Sequence, residues 1–251
     1  MDDAALRALC HLHAGLPRKG PGSERLTRAL LADLAPELPP RPRAADLGCG
    51  SGHAAILLAD GLGAQVTAVD ACAPFIDELG ARLAAAPPAR GTVAARVADM
   101  LAPGLAPASL DLVWSEGAAY AVGVERALAA WRLLLAPAGV LVFSECCWLA
   151  PDPPAECAAF WADAYPAMTP PAGVLSAAER VGYRLRRAER LPPADWWTSY
   201  YDPLAARCEA LAGEAATDPP LRAAIVEARR EMDVFRRFAR WYGYVLFVLD
   251  R

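Results

Sequence analysis

Residues 44–53 read A-A-D-L-G-C-G-S-G-H. An apolar run ends on an acid, Asp46, and passes straight into a turn carrying Gly48, Gly50 and Gly52. A helix-like run follows over 54–59. About twenty residues past the turn, V-T-A-V-D closes a second apolar run on Asp70. A strand, a glycine turn, a helix and a second strand ending in a carboxylate make a nucleotide-binding half-site. Glycine is needed where a side chain would collide with a closely approaching ligand, and a terminal carboxylate can accept hydrogen bonds from both hydroxyls of a ribose.

Outward from this unit the pattern alternates. Strand-like runs fall at 43–47, 65–70, 92–97, 110–114 and 139–144, with helix-like runs at 51–60, 74–86 and 124–135 between several of them. Such alternation with short connections predicts an α/β fold with a mostly parallel sheet covered on both faces. On the N-terminal side, 6–12 reads as a short helix and 15–23 as a loop, because its glycines and prolines break any period. Ser23 and Glu24 open a helix over 25–34. Beyond Glu145 the character changes. Pro151, Pro153 and Pro154 precede A-A-F-W-A-D-A-Y-P, and D-W-W-T-S-Y-Y-D occupies 195–202. Helical runs are expected at 176–181, 203–211 and 219–240, strands at 183–191 and at the apolar C-terminal run W-Y-G-Y-V-L-F-V-L-D. One domain over 1–251 is expected, with 1–42 as an N-terminal cap, 43–145 as the cofactor-binding half and 146–251 as the substrate-side half carrying an insertion at about 191–240.

The chain has 251 residues, 55% hydrophobic, enough for one full core. Its net charge of -4 leaves no general basic field for a nucleic-acid backbone. Lys19 is the only lysine. The seven cysteines include no C-x-x-C pair, and His11, His13 and His53 are the only histidines, so neither a metal site nor a disulfide framework is expected. Reduced thiols, an acidic start without a signal-peptide core and no apolar run of about eighteen residues place the expectation in the cytoplasm.

A dinucleotide fingerprint would read G-x-G-x-x-G, and here the third glycine comes too early; a phosphate loop would need G-K-[ST], which is absent. The form D-x-G-x-G-x-G, led by Asp46, instead resembles motif I of the class I S-adenosylmethionine-dependent methyltransferases. Asp70 sits where that family's ribose-binding acid sits, and Ala98-Asp99-Met100 is similar to its adenine-bracketing segment. R-K-G-P-G-S, W-S-E-G-A-A-Y, S-E-C-C-W and F-W-A-D-A-Y-P are similar to signatures of a group of bacterial small-molecule methyltransferases, which tends to have Gln where this chain has Lys19. The resemblance implies S-adenosylmethionine as cofactor and a Rossmann-like seven-stranded, mostly parallel sheet of order 3-2-1-4-5-7-6, strand seven antiparallel, with helices on both faces and a helical, aromatic lid. It implies cofactor contacts from Asp46, Gly48, Cys49, Gly50, Asp70, Ala71, Asp99, Met100 and Ser115. Arg18, in the glycine- and proline-rich loop, is a candidate for the methionine carboxylate.

Methyl transfer from a sulfonium is an in-line displacement on an activated electrophile, so positioning and desolvation matter more than a triad. A general base is needed only where the acceptor has a proton to lose. Glu116, just past the fourth strand on the ligand side of the sheet, is the first catalytic candidate, and Glu145 at the end of the fifth is the second. Either would orient or deprotonate an amine, hydroxyl or thiol; the competing use is a carboxylate bonded to backbone amides or to an arginine. Tyr120, Trp148, Trp196, Trp197 and Tyr200 are candidates for an aromatic acceptor wall suited to a cationic or flat substrate, against the competing use of packing the lid onto the core. His11 and His13 read as surface or lid residues, His53 as a packing or capping residue, and Cys146 and Cys147 as poor nucleophiles with no histidine nearby in sequence. The expected activity is transfer to N, O or S of a small-molecule acceptor, with neither nucleic acid nor membrane as partner, no metal, and a homodimer left open. The rivals are an RNA or other macromolecule methyltransferase, supported only by Arg184, Arg186, Arg187 and Arg190 and lacking N-P-P-[YF], and a non-catalytic cofactor-binding protein.

Overall fold

The computed structural model describes residues 3–251; Met1 and Asp2, at the acidic start, lie outside the described residues. Seven strands, β1 (Arg43–Leu47), β2 (Gln65–Asp70), β3 (Thr92–Val97), β4 (Leu110–Glu116), β5 (Leu135–Trp148), β6 (Arg184–Arg190) and β7 (Tyr242–Asp250), form one sheet in the order β3-β2-β1-β4-β5-β7-β6. Strands β1 to β5 are mutually parallel, and β7 runs antiparallel to both β5 and β6. This is the Rossmann-like order that the resemblance implies.

Successive side chains of a strand point to opposite faces, and the apolar runs fill both. Ala44, Val66, Leu112, Val140 and Val142 face one core; Ala45, Leu47, Val69, Val113, Leu141 and Phe143 face the other. The first core is covered by α1 (Asp3–His13), α2 (Glu24–Leu34), α3 (His53–Leu62), α4 (Ala73–Ala85) and the C-terminal helices described below; the second is covered by α5 (Val124–Leu134) and, further on, by α7 (Pro171–Arg180). Between β5 and α7 lies α6 (Ala155–Ala164), which holds the predicted aromatic stretch. The segment between β6 and β7 folds as α8 (Pro193–Trp196), a π-helical turn over Trp197–Tyr201, α9 (Asp202–Ala210), α10 (Ala212–Ala215) and α11 (Pro219–Phe238). Ser23 caps α2 by accepting from Leu26 N at 3.2 Å, and Asp218 caps α11 by accepting from Leu221 N at 3.0 Å.

The predicted runs for β1, β2 and β3 coincide with the strands. β5 runs well past the expected 139–144, because β7 pairs with it from Val140 to Trp148. α3 starts at His53 rather than 51, since Gly52 precedes it in the left-handed region, φ 78°. The β6 arginines are spoken for. Arg186 pairs with Glu37 at 2.6 Å and Arg187 with Asp33 at 3.0 Å, while Arg184 and Arg186 both hold Asp250. Such a charged edge strand blunts edge-to-edge pairing. No helix among the described residues is long and apolar enough to cross a membrane.

Candidate active site

Parallel strands end on the same side of a sheet, so the loops after β1, β2, β3 and β4 converge there. They floor a cavity of about 670 Å³, which α1, the 18–21 loop, Tyr200, Leu204 and the N-terminal two-thirds of α11 roof over.

The glycine turn is shaped by its own neighbours as well as by any ligand. Gly48 has φ 75°, and a Cβ there would meet the Ala118 Cβ at 2.4 Å; a Cβ on Gly52 would meet Leu79 Cδ1 at 2.3 Å. Gly52 therefore serves the packing of α3 on α4, while Gly48 and Gly50 line the cavity. Gly48 N and Cys49 N donate to Val69 O at 2.8 and 3.0 Å, tying the turn to β2. Gly50 N donates to Asp70 Oδ2 and Cys72 N to Asp70 Oδ1, both at 2.8 Å. Each carboxylate oxygen accepts twice, so Asp70, on the cavity wall, keeps one lone pair per oxygen for two vicinal hydroxyls.

The buried polar atoms of the same wall that have no hydrogen-bond partner include Arg18 Nη2 and Asp46 Oδ2. Asp46 is 1% exposed, and burial, with Glu116 and Asp70 nearby, raises its carboxyl well above the usual range. Arg18 is 7% exposed and donates through Nη1 to Glu116 Oε2 at 2.5 Å. Glu116 Oε1 accepts from Trp114 Nε1 at 2.8 Å and from Thr27 Oγ1 at 3.3 Å. Burial pushes the Glu116 carboxyl up, but the Arg18 charge and the Trp114 N–H outweigh it and hold it below the usual range. A carboxylate so held is a poor base. Of the uses the sequence leaves open for Glu116, orienting or deprotonating an acceptor or pairing with an arginine, the structure shows the last: it reaches the cavity, and its bonds anchor Arg18.

His13, expected at the surface or in a lid, is buried in the cavity roof. Its Nδ1 lies 2.8 Å from Leu9 O, which can only accept, so Nδ1 carries the proton and Nε2 accepts from the Tyr200 hydroxyl at 2.9 Å. Burial lowers its pKa, consistent with a neutral ring. His11 stays outside, beside Glu214 at 3.0 Å. His53 lines the cavity, its pKa lowered to about 4 by burial and by the Arg18 charge. Lys19 Nζ donates to His13 O at 2.8 Å and to Glu78 Oε2 at 2.6 Å, closing the 18–21 loop onto α1 and α4.

Of the predicted site residues, Arg18, Asp46, Gly48, Cys49, Gly50, Asp70, Met100, Glu116, Tyr120 and Tyr200 meet on the cavity wall. Ala71, Asp99, Ser115, Glu145, Trp148, Trp196 and Trp197 do not line it. Ser115 is buried and donates to Leu47 O at 2.7 Å, fastening β4 to β1, and Asp99 accepts from Leu101 N at 2.8 Å in its own turn. Glu145 is wholly buried; Oε1 accepts from Cys146 N at 3.0 Å, Oε2 has no partner, and burial raises the carboxyl to about 8. Trp196 stacks on Phe235 with centroids 4.2 Å apart and also packs on Tyr242 and Tyr244. Trp197 packs on Tyr201 beneath the Arg236 guanidinium, and Trp148 meets Tyr242 edge-on. These tryptophans pack the lid onto the core.

Sequence reasoning missed the wall that α11 supplies. Ala223, Ala224, Glu227, Ala228 and Glu231 share one helical face turned to the cavity. Their three- and four-residue spacing in A-A-I-V-E-A-R-R-E is the signal that would have found them. Glu231 Oε1 accepts from the Tyr201 hydroxyl at 2.7 Å, and burial raises its pKa.

Residues 45–143 match the family model described as a methyltransferase domain. The structure of YjhP from E. coli superposes with a TM-score of 0.81 at 19% identity, covering 98% of this chain and 100% of that one. A methyltransferase from Geobacter sulfurreducens, solved with S-adenosyl-L-homocysteine, gives a TM-score of 0.80 at 19% identity, covering 98% of each chain. Phosphoethanolamine N-methyltransferase 2 of Haemonchus contortus, solved with phosphomonomethylethanolamine and S-adenosylhomocysteine, gives 0.70 at 16% identity, covering 98% of this chain and 56% of that one. No curated protein matches the chain by sequence. At such identities the structural likenesses establish the fold. The domain match covers residues 45–143, the part of the chain that carries the half-site on the cavity wall.

Proposed function

We propose that the protein transfers a methyl group from S-adenosylmethionine to an N, O or S atom of a small molecule by direct in-line displacement. One observation supports this most: the cavity lined by Gly48, Gly50 and Asp70 is also walled by Leu9, Leu12, Tyr200, Leu204 and α11, beyond the half-site itself. Its volume of about 670 Å³ lies within the range of small-ligand pockets. It is roofed, and its walls are apolar and acidic, features that disfavour a nucleic-acid strand.

The cofactor end fits a nucleoside joined to an amino acid. Asp70 holds two free lone pairs for ribose hydroxyls, and Met100 offers an apolar contact to a base. Asp46 Oδ2 and Arg18 Nη2 are the buried acceptor and donor that an amino and a carboxylate group would satisfy. Leaving either buried and unmet costs free energy. When bound, the cofactor supplies a methyl group on a sulfonium, already activated, so the chain's residues orient and desolvate. Glu116 is a positioning residue that fixes the Arg18 guanidinium. The neutral His13–Tyr200 pair closes the roof and excludes water.

The test has two parts. Calorimetry with S-adenosylhomocysteine should show binding by the wild type. Labelled methyl should pass to a member of a metabolite panel and not to RNA. Label in RNA alone would overturn the small-molecule reading, and failure to bind S-adenosylhomocysteine would overturn the cofactor reading.

A further inference from the structure

We infer that the methyl acceptor is a small amine with an apolar body, its cationic nitrogen seated against Glu231. The inference rests on the proposed transfer reaction and starts from the charges around the cavity. Arg18 is bonded to Glu116 and Lys19 to Glu78. Burial keeps both cavity histidines neutral. Asp46 and Asp70 belong to the cofactor end, and Glu227, at the rim, faces Arg230 at 3.6 Å.

Glu231 is left. Its one hydrogen bond among the described residues comes from the neutral Tyr201 hydroxyl to Oε1, and the nearest charge acting on it is the like charge of Glu227. Glu231 is half-buried in the cavity wall; a carboxylate drawn partly out of water without a counter-charge is costly, and a bound ammonium would supply that charge. The same cavity holds the unpartnered, buried Arg18 Nη2, so its wall is built to meet a polar ligand. Tyr120 and Tyr200 offer aromatic faces, which favour cations. Leu9, Leu12 and Ala224 offer only apolar contact, so the rest of the molecule is hydrocarbon-like. An anionic acceptor would meet Glu231, which has no ion-pair partner among the described residues. In the transfer, the bound ammonium first passes its proton to Glu231. The nitrogen lone pair then forms the N–C bond as the C–S bond breaks, leaving its electron pair on sulfur.

The experiment uses the full chain, labelled cofactor and a panel of small primary and secondary amines, each with the alcohol, thiol and carboxylate of the same carbon skeleton. Label should enter amines alone, and Glu231→Gln, which can still accept from Tyr201, should raise KM for the amine at least tenfold while S-adenosylhomocysteine affinity holds. Label in an alcohol or thiol would remove the amine and leave the small-molecule reading standing. Label in no panel member, or an unchanged KM in Glu231→Gln, would also overturn the inference. Loss of S-adenosylhomocysteine binding in the wild type would sink the parent reading instead.

A separate observation carries a second inference. Cys10 Sγ on α1 lies 2.8 Å from Cys72 Sγ, just ahead of α4, although 62 residues separate them. Both are free thiols. The structure assigns them as an oxidation-sensitive pair that fastens the roof helix to the ribose-binding turn, because Cys72 N is bonded to Asp70 and α1 carries Leu9, Leu12 and His13 of the cavity wall. Cys72 is the more exposed of the two, and burial raises the Cys10 thiol to about 12, so Cys72 meets the oxidant first. With hydrogen peroxide, the Cys72 thiolate becomes a sulfenic acid as peroxide is reduced to water. The Cys10 thiol then displaces hydroxyl from it, giving the disulfide and a second water.

Peptide mapping after peroxide should find a Cys10–Cys72 cross-link that dithiothreitol reverses, with S-adenosylhomocysteine leaving the cross-linked protein at least fivefold more slowly. Cys10→Ser should show neither effect. Separate sulfinic acids at the two positions, unreacted thiols, or an unchanged dissociation rate in the cross-linked protein would each overturn it.

Discussion

Arg18→Met tests the Arg18–Glu116 pair, on which the cofactor end is hung. Both side chains are largely buried, 7% and 12% exposed, and Glu116 also accepts from Trp114 and Thr27. Removing the guanidinium leaves a buried carboxylate with two neutral donors, a change that typically costs about 3–5 kcal/mol. The free Nη2 goes too. If it meets the methionine carboxylate, cofactor affinity falls by about 1.5–3 kcal/mol, roughly ten- to hundredfold. The pH dependence changes sign. In the wild type the lowered Glu116 pKa gives stability that is present above the unfolded value and lost as pH falls through the folded one. Without Arg18, burial dominates and the folded pKa rises, so the variant loses stability as pH rises instead. Urea unfolding at acid and mildly alkaline pH, with calorimetry for S-adenosylhomocysteine, reads both effects. The double variant Arg18→Met with Glu116→Gln should recover most of the stability and none of the affinity. A single variant within about 0.5 kcal/mol of wild type at both pH values, with unchanged affinity, would refute the reasoning.

Other changes probe other parts. Asp70→Ala should weaken S-adenosylhomocysteine by about 1.5–3 kcal/mol, measured by calorimetry, since Asp70 supplies both remaining lone pairs. Gly52→Ala should lower the thermal midpoint, with a cost at the upper end of the about 1–3 kcal/mol of overpacking, because its Cβ falls 2.3 Å from Leu79 Cδ1 at φ 78°. Glu145→Gln should leave turnover near wild type, because Glu145 does not line the cavity. It should also flatten a pH effect in urea unfolding. With a folded pKa raised to about 8, Glu145 contributes stability that is full below the ordinary glutamate range and lost as pH rises towards 8.

What was legible in the chain is what is local. The runs of β1, β2 and β3 and the turn after β1 are written in a few consecutive residues, so Gly48, Gly50 and Asp70 meet as expected. The sheet order came from a resemblance, because nothing local states which strand lies beside which. What stayed open in the sequence depended on distance. The sequence leaves open whether Glu116 serves an acceptor or an arginine, and only folding puts Arg18, 98 residues away, against it. Trp196 reads as a pocket aromatic until Phe235 and Tyr244 enclose it. Glu231 was overlooked because α11 is charged on its outer face, and only the alanines at 223, 224 and 228 betray a close neighbour. Composition along a strand end predicts a binding edge; it does not say which carboxylates there are already neutralised.

The most direct measurement is a crystal structure with S-adenosylhomocysteine bound. The ribose hydroxyls should lie within hydrogen-bonding distance of Asp70, the carboxylate on Arg18 Nη2, and the sulfur facing the compartment walled by Tyr200 and Glu231. A ligand seated elsewhere, or a sulfur turned to solvent with that compartment behind the adenine, would contradict the account.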